Sequence, residues 1–82
     1  MMYIETLMAI AQKFRENEQY QGGYVRIFQG RYIQAYGWSL NIGSAHSEKP
    51  GALLIGERPD DCYIAVGGNR CDGAEKWVRL TE

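Results

Sequence analysis

YVRIFQGRYIQAYGWSL, Tyr24–Leu40, is the stretch that decides the fold. Two runs of alternating residues, Tyr24–Phe28 and Tyr32–Leu40, flank a turn that contains Gly30. Successive side chains of a strand point to opposite sides, so alternation of this kind marks a strand with two unlike faces. Register decides the length of the turn. With Gln29, Gly30 and Arg31 as a three-residue loop, Phe28 pairs with Tyr32, Ile27 with Ile33, Arg26 with Gln34, Val25 with Ala35 and Tyr24 with Tyr36. Val25, Ile27, Ile33 and Ala35 then share one face, and Tyr24, Arg26, Phe28, Tyr32, Gln34, Tyr36 and Trp38 share the other. A two-residue loop would set Ile27 against Tyr32 and Arg26 against Ile33, and a one-residue slip exchanges every side chain between faces. The cleaner segregation predicts the longer loop.

Upstream, Ile4, Leu7, Met8, Ala11 and Phe14 recur at i, i+3, i+4 spacing and predict an amphipathic helix over Tyr3–Glu18. Glu5, Gln12, Lys13, Arg15 and Glu16 are expected mostly off its apolar stripe, and Gln21-Gly22-Gly23 to end it. Downstream, Asn41–Pro50 reads as a long polar loop, and Ala52–Gly56 as a short strand buried on both faces. Glu57–Asp61 suits a turn, Cys62–Val66 a strand, Gly67–Gly73 a loop, and Trp77–Leu80 a last strand or irregular tail. The expectation is a single α+β domain over residues 1–82: one N-terminal helix packed on a four- to five-stranded antiparallel meander, with the helix on the aliphatic face.

The hairpin's other face is the first place to look for function. One helix covers one side of a sheet, which leaves Tyr24, Arg26, Phe28, Tyr32, Tyr36 and Trp38 without an obvious cover. Aromatic and Arg side chains are enriched where proteins bind each other, and they also stack on single-stranded bases. The competing reading is that a curved sheet, the long loop or the C-terminal tail covers these rings, which stabilise strands by cross-strand pairing alone.

Nothing else in the chain spells out a reaction. His46 is the only histidine, and no CxxC accompanies Cys62 and Cys71, so no metal ligand set can be assembled. Gly67-Gly68-Asn69-Arg70 lacks the ending of a phosphate loop, and Asp60, Asp61, Asp72 and Glu75 are too scattered for a calcium loop. No catalytic residue, cofactor or metal is expected. A net charge of −1 fits neither a general DNA binder nor a DNA mimic, so any electrostatic role falls to a local patch. Two cysteines make no disulfide framework, Glu5 interrupts a poor signal peptide, and no apolar run has membrane-spanning length. These features lead us to expect a cytoplasmic protein with reduced thiols.

A run of turn motifs carries a family resemblance. Tyr36-Gly37-Trp38 and Leu40 are followed by Lys49-Pro50-Gly51-Ala52, by Ala65-Val66-Gly67-Gly68-Asn69, and by Asp72-Gly73-Ala74-Glu75 before Trp77. This order, over about residues 24–80, resembles the small ArdR-type antirestriction proteins of conjugative plasmids and integrative elements. The sequence departs from them at Asn69-Arg70-Cys71, where a more acidic stretch is expected, and in its Asn41–Glu48 loop. The resemblance implies a protein of mobile DNA or phage that blunts restriction or CRISPR-Cas defence in a bacterial host. It carries over no site residues. The expected partner is a host nuclease or effector-complex protein bound stoichiometrically, by a monomer or homodimer. A small nucleic-acid-binding or regulatory protein using Arg26, Arg31, Arg70 and Arg79 is the first alternative, and a self-associating structural module the second.

Overall fold

The structure, a computed structural model, describes residues 3–80. A helix, α1 (Tyr3–Glu18), packs on a five-stranded antiparallel sheet made of β1 (Tyr24–Gln29), β2 (Ile33–Ser39), β3 (Leu53–Ile55), β4 (Cys62–Val66) and β5 (Lys76–Arg79). The strands lie in the order β2-β1-β3-β4-β5. The α+β expectation holds, with one difference: the sheet is not a simple meander. β2 and β3 both pair with β1, one on each side, so they run parallel to each other and the chain must cross β1 to get from one to the other. A parallel crossover needs about a dozen residues, and segment 40–52 supplies them. It carries one short 3-10 turn, Ala45–Ser47, capped by the Ser44 hydroxyl accepting from the His46 N–H.

The helix-facing core is aliphatic. Leu7 and Ala11 from α1 meet Val25, Ile27, Leu53, Ile55 and Cys62 from the sheet. Arg15 joins them, against expectation: it is only 3% exposed. Its place follows from spacing, since it sits four residues beyond Ala11 on the same stripe. Its Nε donates to the Gly22 carbonyl at 2.9 Å, and its Nη2 donates to the carbonyls of Gly23 and Ile55 at 3.0 Å each. A buried cation is tolerated only when its donors are satisfied, and these carbonyls do that. The helix ends at Glu18 as expected, but its cap is not made by the glycines. Gln19 takes the left-handed conformation (φ 63°), and the Tyr20 N–H closes back on the Arg15 carbonyl at 2.9 Å, a Schellman-type cap without glycine. Gly22 and Gly23, both at positive φ, instead form the turn whose carbonyls take Arg15.

The hairpin register differs from the one expected. Gly30, Arg31 and Tyr32 form the loop, so that Gln29 pairs with Ile33, Phe28 with Gln34 and Ile27 with Ala35. That is a two-residue shift, which leaves faces unchanged. An irregularity between Arg26 and Ile27 then inserts Tyr36 as an extra residue, and the pairing resumes as Arg26 with Gly37, Val25 with Trp38 and Tyr24 with Ser39. The bulge flips everything beyond it. Trp38 therefore lies on the helix side, packed against the aliphatic core, and not with the other rings. Tyr20 stacks flat on it at 4.3 Å, and the Trp38 indole Nε1 donates to the Gly22 carbonyl at 2.8 Å.

Candidate functional site

The outer face of the sheet is not bare. Segment 40–52 crosses it as a strap: its Ala45 and Ala52 bury themselves against Ala65 and Ala74, with Phe28 and Trp77 packed alongside, and Leu54 of β3 is buried on the same face. Short side chains let a backbone lie close to a sheet. Gly73 shows how close, since a Cβ there would come within 2.0 Å of the His46 carbonyl oxygen. Backbone bonds fasten the strap: the Ala74 N–H donates to the Glu48 carbonyl and the Gly51 N–H to the Ala65 carbonyl, both at 2.8 Å. The Trp77 indole N–H reaches the Gly43 carbonyl at 3.2 Å.

Arg26 is the polar centre of this arrangement. Its Nε donates to Glu48 Oε2 at 2.8 Å, its Nη1 to Ser39 Oγ, and its Nη2 to the Ile42 carbonyl at 3.3 Å. The other oxygen of Glu48 accepts from the Tyr36 hydroxyl at 2.6 Å. One guanidinium thus joins β1, the end of β2 and the strap. Burial, and then the hydrogen bond to Glu48, push the Tyr36 phenol well above its ordinary range, with Arg26 acting weakly the other way. Both partners keep charge-assisted bonds, which are the stronger kind.

Along residues 47–49 the strap leaves an open cleft of about 690 Å³ against the hairpin. Phe28, Tyr32 and Tyr36 form its aromatic wall, and Arg31, Glu48 and Lys49 bring charge to it. Lys49 lies over the Phe28 ring, its Nζ 4.3 Å from the centroid. With Glu48 engaged by Arg26, the free charges at the rim are the exposed cations Arg31 and Lys49. Such a cleft suits an apolar or aromatic side chain flanked by acidic groups.

Of the six aromatic and Arg residues expected on one open face, three line this cleft: Phe28, Tyr32 and Tyr36. Arg26 lies beneath the strap. Trp38 is on the opposite side of the sheet. Tyr24 points away along β1, where its hydroxyl donates to the Asp61 carboxylate at 3.1 Å to each oxygen, as Tyr63 donates to Oδ1. Burial and that bond raise the Tyr24 phenol. Glu48 and Lys49 line the same cleft, and the sequence gives no sign that they do. Their neighbourhood with Phe28 depends on a crossover, and no local pattern reports it.

His46, Cys62 and Cys71 do not line this cleft. Cys62 is buried and its thiol is raised by that burial, while Cys71 is exposed. Among the described residues, no three His, Cys, Asp or Glu are grouped to hold a metal ion, and no helix is long and apolar enough to cross a membrane. Comparison with protein-family models, with curated proteins and with solved structures finds no match to this chain.

Proposed function

We propose that this protein works by stoichiometric binding to another protein, as a product of a mobile element or phage that inhibits a bacterial restriction or CRISPR-Cas system. The observation that carries the binding half is the cleft between the hairpin and residues 47–49 of the strap. It presents Phe28, Tyr32 and Tyr36 beside Arg31 and Lys49, and Tyr32 is 71% exposed. Tyr and Arg in a concave, partly apolar setting are the usual anchors of protein interfaces. The defence half rests on the resemblance of the turn motifs between Tyr36 and Trp77 to antirestriction proteins. A domain of this size can block a nuclease complex by covering a standard interface of about 800 Å² per partner.

The nucleic-acid reading has less support. Arg26 is spent on Glu48, and Arg79 lies on β5, separated from β1 by β3 and β4. The deciding experiment measures protection of incoming DNA in a host carrying a defined restriction or CRISPR-Cas system, together with co-purification of the defence protein. The double variant Tyr32→Ala, Tyr36→Ala is expected to keep the fold and lose both protection and complex. If the folded variant still protects, the cleft is the wrong surface. If the parent protein never protects, the defence assignment falls.

A further inference from the structure

The sheet has two free edges, and they are built differently. β5 carries Lys76 and Arg79, both exposed. Lys76 and Arg79 lie on opposite faces of β5, so either face of that edge carries a cation, and charge on an edge strand deters pairing with another strand. β2 is longer, and Ile33–Ser39 contains no charge and no proline. It and its flanks also hold four exposed large hydrophobics: Tyr32, Ile33 at 42%, Tyr36 at 48% and Leu40 at 67%. An uncharged edge of this length with apolar side chains is a template for another strand.

We infer that β2 is a homodimer edge, pairing antiparallel with β2 of a second copy to make one continuous ten-stranded sheet. The bulge sets the register. Gln34, Tyr36, Gly37 and Ser39 belong to the outer face, and Ile33, Ala35 and Trp38 to the helix face, with Leu40 following them by alternation. Residues directly opposite in an antiparallel pair share a face. A two-fold axis between Tyr36 and Gly37 satisfies this at every position: Ile33 faces Leu40 of the other copy, Gln34 faces Ser39, Ala35 faces Trp38 and Tyr36 faces Gly37. Moving the register by one or two residues sets outer-face positions against helix-face ones. The bulges, which would spoil pairing with a regular strand, match each other across the axis.

The chemistry of the pairs agrees with this register. Two exposed aliphatics, Ile33 and Leu40, cover each other twice. Gly37 leaves room for the Tyr36 ring of the second copy. Arg31, the charged residue next to the strand in sequence, falls opposite Ile42 and meets no like charge. The dyad of an antiparallel pair is perpendicular to the sheet, so both clefts lie on one side of the dimer and both helices on the other. The homodimer is thus a bivalent form of the binding surface.

Sedimentation equilibrium from micromolar to millimolar protein tests the pairing. The parent chain should approach twice its monomer mass. Ile33→Glu and Leu40→Lys alter partly or fully exposed positions, and circular dichroism would verify that each folds. Each alone should raise the dissociation constant at least about tenfold, because it sets a charge against an apolar side chain. An equimolar mixture of the two should regain dimer, since Ile33→Glu on one copy then faces Leu40→Lys on the other. A parent chain that stays monomeric throughout overturns the inference. So does a dimer indifferent to both variants, or a mixture no tighter than its components.

Discussion

The two faces of this sheet are filled by opposite means. Toward α1, large aliphatic side chains such as Leu7, Ile27, Leu53 and Ile55 fill the space between a helix and a sheet. On the outer face, beside the buried Leu54, four alanines, two of them on the strap itself, thin the layer so that irregular backbone can lie close, and an arginine–glutamate pair ties the strap down. Helix packing needs bulk. Strap packing needs its absence, plus hydrogen bonds for the backbone groups brought out of water. Among the described residues no buried side-chain N or O atom lacks a partner. An 82-residue chain with one helix has thereby covered most of two faces, and the part left open at residues 47–49 is the cleft.

The sharpest way to break this comparison is to exchange the two packing rules. Leu53→Ala, on the helix face, should cost about 3 kcal/mol in chemical denaturation, since it leaves a cavity beneath α1. Ala65→Leu, on the outer face, should cost about 2 kcal/mol for the reverse reason, because the strap has no room for added bulk. An outer-face leucine that proved stabilising would mean that the strap is loosely held. The next effect is more local. Glu48→Gln keeps the shape but removes the charge that Arg26 holds, and should cost about 1 kcal/mol. Hydrogen exchange should show it first at the Gly51 and Ala74 amides, which bond across the strap, while amides of α1 stay unchanged. Equal loss of protection in both would mean that the faces do not open separately.

The smallest expected effect appears in base. The Tyr36 phenol is raised above its ordinary value of 10.0 in the folded protein. Below that value both states hold the proton and its contribution is complete. Above it the unfolded chain loses the proton first, so stability falls as pH rises toward the folded pKa. Tyr36→Phe should flatten that fall in denaturation curves taken above pH 10 relative to the parent. A parallel slope would show that Tyr24, raised for similar reasons beside Asp61, dominates instead.

What could be read from the chain follows the range of the interactions involved. The helix bounds Tyr3–Glu18 follow from the spacing of Ile4, Leu7 and Ala11, which is a local pattern. Cys62–Val66 is equally local. The bulge at Tyr36 is one extra residue in a strand whose alternation looks regular, so the placement of Trp38 failed at the first position where the count mattered. The sheet order failed because Asn41–Pro50 looks the same whether it turns back beside β2 or crosses β1. Consequently the grouping of Phe28, Tyr32 and Tyr36 is legible from the hairpin alone, whereas the presence of Glu48 and Lys49 beside them is not.

Arg15 has one more consequence. An apolar stripe on an aliphatic sheet is a poor ruler: sliding α1 by a turn would still leave hydrocarbon against hydrocarbon. A guanidinium aimed at the carbonyls of Gly22, Gly23 and Ile55 does not tolerate such a slide, because its donors would be stranded in the interior. The backbone carbonyl of the same residue accepts the Tyr20 N–H that closes the helix cap. Where the helix stops, how the chain turns into β1 and where α1 sits along β3 are therefore a single choice. In this small protein, one positive charge indexes the helix to the sheet.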